Sequence, residues 1–423
     1  MCVRDARDAA PAGPASCGGT RKLDLYSYRP TRVEISLDAL RRNLLAFRRA
    51  LPDGVAVMAV VKANAYGHGA VMAAREAEAA GAAYLGVAFL DEALELRRAG
   101  VGLPILVLGY TPPEGLAVAA RHRVTLTVFS EDVLEALRAG RQGDAPLAVH
   151  VKIDTGMGRL GLLPGEDAVR FVEALARTPG VLLEGLFTHY ACADEADKRY
   201  TREQYVKFRR FVETLRARDL TFRWVHAGNS AAGLDTPEWT FNMLRLGIGL
   251  YGLYPSEEVN RRRVALEPVM SFRTAVVHLK TLPPNSGVSY GAVYRTSGYE
   301  RIATLPVGYA DGYSRMLTGK AEVLIRGVRA PVVGRICMDQ CMVRVDGVPG
   351  VSLHDEVVLF GKQGDACLPA DEVARWLGTI HYEVTCMVSH RVPRIYLRNG
   401  EPVSAENPLI GEDFGARTAN RHT

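Results

Sequence analysis

The stretch VAVMAVVKANAYGHGAVMAAREAEAAGAAYLGVAF, residues 55–89, sets two short apolar runs on either side of an Ala-rich helical pattern. An apolar run bounded by turn residues reads as a buried strand. A strand–helix–strand order then implies parallel pairing through a right-handed crossover. The alternation continues outward: ILVLG ends at Gly109, VTLTVF at Phe129, LAVHVKI at Ile153, LLEGLFTH at His189 and FRWVHA at Ala227. A last run spans Met243 to Leu246. Between these runs SEDVLEALRAG is helical in pattern, with Ser130 as its expected N-cap. Eight such units close naturally into a (β/α)8 TIM barrel, in which chemistry gathers at the C-terminal ends of the strands. Periodicity leaves an open doubly wound sheet as the alternative.

Beyond about Pro255 the texture changes. FRTAVVHLKTL, RIATLPVGYA, AEVLIRG, APVVGRICM, CMVRVDGV and DEVVLFG are strand-like and closely spaced, with ADEVARWLG as a helical insert. The expected layout is an α/β barrel domain over residues 31–255, then a mainly β C-terminal domain over 256–400. The leading segment TRVEISLDALRRNLLAFRRAL offers a strand able to pair with the second domain before its helix begins. Residues 1–30, polar and rich in Ala, Gly and Pro, read as a disordered extension, and 401–423 as an irregular tail. With 52 basic and 47 acidic residues the formal charge is only +5, which argues against nucleic-acid binding. No run of about 18 apolar residues suggests a membrane span. Seven scattered cysteines without zinc-like spacing suit a reducing cytoplasm and no metal site.

Lys62 follows directly on a buried strand. Lost hydration there favours the neutral amine, and so imine formation with an aldehyde. A lone lysine at a strand end more often only marks where the chain reaches solvent. The residues after it change the odds: Tyr66, Gly67, His68 and Gly69 form a flexible turn with a hydroxyl, suited to covering a phosphate.

VVKANAYGHG resembles the cofactor-attachment signature of the alanine racemases. The resemblance recurs in order through HVKIDTGMGRLG, LEGLFTHYACADE, HAGNSAA, FNMLRLGIGLYG, VSYGAVY, PVGYADGYSR, VGRICMDQC and HYEVTCMVSHRVPRIY, from about Arg32 to Asn399. It implies a barrel followed by a β domain, pyridoxal 5'-phosphate held by Lys62 as a Schiff base, and a homodimer whose active sites draw on both chains. It also implies interconversion of L- and D-alanine, the D form serving peptidoglycan. A racemase needs a base on each face of the α-carbon. By resemblance Lys62 serves the D enantiomer and Tyr290, from the partner chain, serves the L enantiomer.

The resemblance assigns further roles position by position. Arg245 donates to the pyridine nitrogen; because guanidinium keeps its proton, the ring is a weaker electron sink than one facing a carboxylate. Arg159 meets the substrate carboxylate and the cofactor's phenolic oxygen, and Lys152 matches a lysine that some relatives carry as a carbamate. Phosphate holding falls to Tyr66, Ser230, Gly247 and Ile248, the last two through backbone N–H groups. Met338 meets the substrate carboxylate from the partner chain beside Asp339, Tyr309 lines the entrance, and His189 supports neighbouring groups.

One position departs from the pattern. His390 stands before RVPRIY where the family has a tyrosine that bonds the phosphate and lines the inner entrance. Histidine is shorter, and a widened pocket would admit serine or another small amino acid; retained alanine preference is the plainer expectation. A protein with the lysine but without catalysis is the non-enzymatic alternative. Turnover of alanine and serine by the natural protein and by His390→Tyr tests the pocket. Widening predicts a higher serine-to-alanine ratio in the natural protein, and equal ratios remove the idea.

Overall fold

The structure is a computed structural model and describes residues 27–410. Strand β1 (Arg32–Ser36) leads into α1 (Leu37–Ala50), whose N-terminus is capped by Ser36 Oγ accepting from the Ala39 N–H at 3.2 Å. The barrel follows as β2 (Ala56–Val60), β3 (Tyr84–Val87), β4 (Ile105–Val107), β5 (Val124–Val128), β6 (Leu147–Lys152), β7 (Val181–Phe187), β8 (Trp224–His226) and β9 (Met243–Leu246). Each strand lies within or against one of the eight expected runs. All neighbours are parallel, and β9 returns to pair with β2.

The seam between β8 and β9 has no regular ladder. Asn242 bridges it: its backbone N–H donates to Val225 O at 3.1 Å, and its side chain accepts from the Val225 N–H and donates to Arg223 O, both at 2.8 Å. Arg245 N–H adds a bond to Gly228 O at 3.1 Å. Met58, Tyr84, Leu106 and Met243 pack together inside the ring. The barrel therefore has a filled centre, and ligands are left to its rim.

The second domain is a mixed sheet. Met270–Ala275 pairs antiparallel with β1, and Arg394–Arg398 pairs parallel with it on the other side. The expected pairing of the leading strand with the second domain is thus present, and it moves a boundary: residues 32–36 belong to the β domain's sheet, whereas α1 packs on the barrel. Two further expectations are corrected. Glu401–Glu406, assigned to an irregular tail, is an edge strand antiparallel to Arg394–Arg398. Its proline and polar residues disguise it, and an edge position tolerates both. Arg29, assigned to the extension, is fixed by Asp311 Oδ1 at 2.7 Å and by Arg391 O at 3.0 Å. The rest of that extension, residues 1–26, and the tail from 411 lie outside the described residues. Ser130 does precede its helix, but its side chain makes no cap bond.

The two domains meet where Asn43 of α1 clamps two segments of the chain. Its Nδ2 donates to Leu250 O at 3.2 Å and Glu267 O at 2.8 Å, and its Oδ1 accepts from the Glu267 N–H at 2.9 Å. Gly252 sits in the same crossing with φ +79°, where an added Cβ would lie 1.7 Å from Glu267 O. A side chain there meets both left-handed strain and backbone overlap. Gly252→Ala should cost about 2–5 kcal/mol, read as a lower midpoint in urea unfolding.

Candidate active site

Lys62 stands at the C-terminal end of β2, and the four residues after it take an unusual path. Ala63, Asn64, Ala65 and Tyr66 have φ of 52°, 51°, 54° and 54°, a single left-handed turn. Each such L-residue costs about 1–2 kcal/mol, so the surroundings must enforce it. Glu92 Oε1 accepts from the Ala63 N–H and Asn64 Oδ1 from the Ala70 N–H, both at 2.7 Å. Arg394 Nε donates to Gly67 O at 2.9 Å. The turn leaves Lys62 half-buried at the rim, and burial, then the Arg159 charge, holds its amine below the usual lysine range.

Arg245, on β9, is buried at 4% exposure and no carboxylate pairs with it among the described residues. Its Nη2 donates to Thr188 O and Ala227 O, both at 2.9 Å, and to His189 Nδ1 at 2.8 Å. Its Nη1 donates to His226 Nδ1 at 2.9 Å. Burial lowers its pKa to about 9, which leaves it charged at neutral pH. Both imidazoles must then be neutral acceptors at Nδ1, and burial followed by the Arg245 charge lowers their pKa values in that direction.

The proton positions now propagate. His226 carries its proton on Nε2 and donates to His150 Nδ1 at 3.0 Å. His150 turns Nε2 toward Glu184 Oε2 at 3.6 Å, and that carboxylate accepts from Tyr84 Oη at 2.9 Å. The His150 ring fits because its neighbour is Gly185, where a Cβ would lie 2.5 Å away. Residues on β6, β7 and β8 thereby fix how Arg245 is held.

Lys152 lies over the Phe187 ring at 4.5 Å, and burial, then Arg245 and Arg159, lowers its amine to about 7. Arg159 is exposed on the loop after β6, a loop folded around Asp154 Oδ1, which accepts the N–H groups of Gly156, Met157 and Gly158 at 2.9, 2.8 and 3.1 Å. The charges that bear on His189 are Arg245, Lys152, Arg159 and Lys62, so this rim is cationic. Beside it Ser230 Oγ accepts from the N–H groups of Gly247 and Gly249 at 3.0 and 3.2 Å. A Cβ on Gly247 would lie 2.8 Å from Tyr66 Oη. Ile248 opens the next helical turn, where N–H groups lack internal partners.

The same architecture recurs in proteins of known activity. Residues 35–255 match the family model described as alanine racemase, N-terminal domain, and 269–396 the one described as alanine racemase, C-terminal domain. The chain belongs to the alanine racemase family. The alanine racemase of Desulforamulus reducens is 48% identical over 87% of this chain and 99% of its own length. That of Geobacillus stearothermophilus is 48% identical over 90% and 97%. The crystal structure of alanine racemase from Bacillus anthracis with bound L-Ala-P superposes with a TM-score of 0.87 at 44% identity, covering 91% of this chain and 99% of that one.

The alanine racemase fold gathers Lys62, Tyr66, Lys152, Arg159, His189, Ser230, Arg245, Gly247 and Ile248 at the barrel rim. Tyr290, Tyr309, Met338 and Asp339 form a second group in the β domain. Ser289 Oγ meets Cys337 Sγ at 3.3 Å, and the Tyr309 N–H donates to Cys337 O at 3.1 Å. Tyr290 is 69% exposed on a turn where Ser289, Gly291 and Ala292 all have positive φ. Asp339 pairs with Arg391 at 2.7 Å, and buried Asp311 gathers Arg391 and Arg29 at 3.0 and 2.7 Å. His390, beside Arg391, is exposed. Sequence reasoning missed His226, His150, Glu184 and Asp311; all four lie inside quoted motifs, HAGNSAA, HVKIDTGMGRLG, LEGLFTHYACADE and PVGYADGYSR, and carried no separate signal.

A lysine whose native pKa is depressed costs stability wherever it is charged in the unfolded chain. For a free Lys152 amine that cost is full below about pH 7 and fades as pH rises toward 10.5. Lys152→Met should therefore raise the thermal midpoint most below pH 7, with the gain shrinking above it. A lower midpoint instead indicates that the nitrogen carries a carbamate, which intact mass then identifies.

Proposed function

We propose that this alanine racemase, which interconverts L- and D-alanine, works as a homodimer around pyridoxal 5'-phosphate, each site combining Lys62 of one chain with Tyr290 of another. The observation that carries this reading is the division of the site residues into two groups, one at the barrel rim and one exposed on the β domain. A two-base reaction needs both. The rim suits the cofactor. Its cations match an anionic phosphate, the missing Cβ of Gly247 leaves room between Tyr66 Oη and Ser230 Oγ, and Lys62 has the lowered basicity that attachment requires.

When bound, the cofactor supplies the electron sink that makes the α-proton of an amino acid acidic. The chain's residues do the rest. Tyr66, Ser230 and the Ile248 N–H would hold the phosphate, and the Gly247 N–H, which donates to Ser230 Oγ at 3.0 Å, would reach it by sharing or exchanging that bond. Arg245, kept in place by His226, His189 and two carbonyls, would be the donor to the pyridine nitrogen. Arg159, oriented from the Asp154 loop, takes the substrate carboxylate together with the Met338 N–H from the second chain. Lys62 Nζ moves the α-proton on one face and Tyr290 Oη on the other: Tyr290 takes it from L-alanine while Lys62 delivers one, and the reverse direction exchanges the roles.

No helix among the described residues is long and apolar enough to cross a membrane, and a cytoplasmic setting fits the reading. The relatives above carry the name alanine racemase throughout, which supports alanine rather than serine as the substrate.

Lys62→Ala and Tyr290→Phe should each lower alanine racemisation by at least about 100-fold, and Lys62→Ala should also lose cofactor absorbance. Unfolded together and refolded as a mixture, the two inactive variants should recover about a quarter of natural activity, because half the dimers are hybrids with one intact site. No recovery on mixing would sink the shared site while leaving the role of Lys62 to its own assay.

A further inference from the structure

Arg159, the carboxylate group of the proposed function, stands exposed on a glycine-rich loop. Gly156, Gly158 and Gly161 have φ of +138°, +69° and +122°, and glycine's conformational freedom leaves the backbone little power to fix its own path. A guanidinium that must be ordered on binding gives up part of its affinity to that ordering. The bonds to Asp154 Oδ1 fold the loop on itself and reach no separate element. An outside anchor is therefore needed.

The helix Arg199–Arg216 supplies it. Phe208, Phe211, Val212 and Leu215 bury one of its faces. Just before its start Lys198 Nζ donates to Ala193 O at 2.7 Å and to Asp235 Oδ2 at 2.6 Å, so the helix is fixed along its length and at its end. Tyr200 and Gln204 stand four residues apart in its first turns and share a face. Gln204 is fully buried; its Nε2 donates to His189 O at 3.0 Å and its Oε1 accepts from the Ala191 N–H at 2.9 Å. Tyr200 Oη donates to Gly156 O at 2.7 Å, and among the described residues no other hydrogen bond ties residues 156–160 to a separate element. A Cβ on residue 156 would lie 2.6 Å from that hydroxyl, so the glycine is what lets the two meet.

We propose that Tyr200 is a positioning residue for substrate recognition: its bond to Gly156 O holds the Arg159 loop in register with the His189–Arg245 pair, so that the guanidinium meets the carboxylate already ordered. One helix then sets the spacing between two parts of the site, the Arg159 loop through Tyr200 and the segment after β7 through Gln204. Tyr200 itself touches neither substrate nor cofactor in this reading. The inference rests on Arg159 as the carboxylate group, and the experiment separates the two.

Calorimetric titration of the cofactor-loaded enzyme with propionate, which is alanine without its amine, reads carboxylate recognition without turnover. Tyr200→Phe should weaken propionate binding about three- to tenfold and raise KM for alanine with kcat unchanged. Exchange of the Met157 and Gly158 amides should quicken in the same variant. With Arg159→Met as background, Tyr200→Phe should bring no further loss in kcat/KM, because the bond acts through that guanidinium. Gly156→Ala breaks the same bond from the loop side and should weaken propionate likewise, which keeps the test decisive should Tyr200→Phe fail to fold. Unchanged propionate binding, an equal loss in the Arg159→Met background, or a fall in kcat at constant KM would overturn the proposal. Propionate binding undiminished in Arg159→Met alone would instead remove the carboxylate role of Arg159, and the proposal with it, a failure distinct from that of the Tyr200 bond.

Discussion

A guanidinium buried inside the barrel without a carboxylate is the constraint from which the site follows. Charge in an apolar interior must be met by hydrogen bonds, and Arg245 meets it with two carbonyls and two imidazole nitrogens. That choice forces His226 and His189 to stay neutral, fixes the tautomer of His226, and through it that of His150. A carboxylate in the same place would have neutralised the rim. Without one, positive charge remains available to anions arriving from solvent, and the nearby amines of Lys62 and Lys152 are held at lowered basicity by their burial among like charges.

Much of the fold was legible because barrel strands are buried on both faces and read as uninterrupted apolar runs. The seam was not legible. Nothing in the sequence around Asn242 announces that one amide stands in for a ladder. Glu401–Glu406 was hidden for a related reason, since an edge strand needs pairing on one side only and admits a proline. In the site, Lys62 announced itself through strand, turn and glycines together. The left-handed turn did not: Ala-Asn-Ala after a lysine reads as ordinary helix, and only the contacts of Glu92, Asn64, His68 and Arg394 reverse its hand. His150, Glu184 and His226 were invisible as a set because they lie on three strands and meet only when the sheet curls. Tyr290 was reached through resemblance alone, as one of 17 tyrosines.

The division of labour between the domains follows from what each can hold rigid. The barrel places its groups at strand ends, where neighbouring strands fix their spacing. The β domain places Tyr290 on a strained, outward turn and anchors the adjoining loops through Asp311, whose carboxylate ties residues from both ends of the chain. One set is built to receive a ligand, the other to be presented.

Strand β1 lies between Met270–Ala275 and Arg394–Arg398, so the barrel is in effect an insertion within the β domain's sheet. During synthesis the strand that emerges first must wait for the two that flank it, the second more than 350 residues later. The barrel has its strands complete by Leu246, well before that sheet can form. The order of assembly is thus written into the topology: a finished barrel carries an unpaired strand at its N-terminus, and the β domain closes on that strand last.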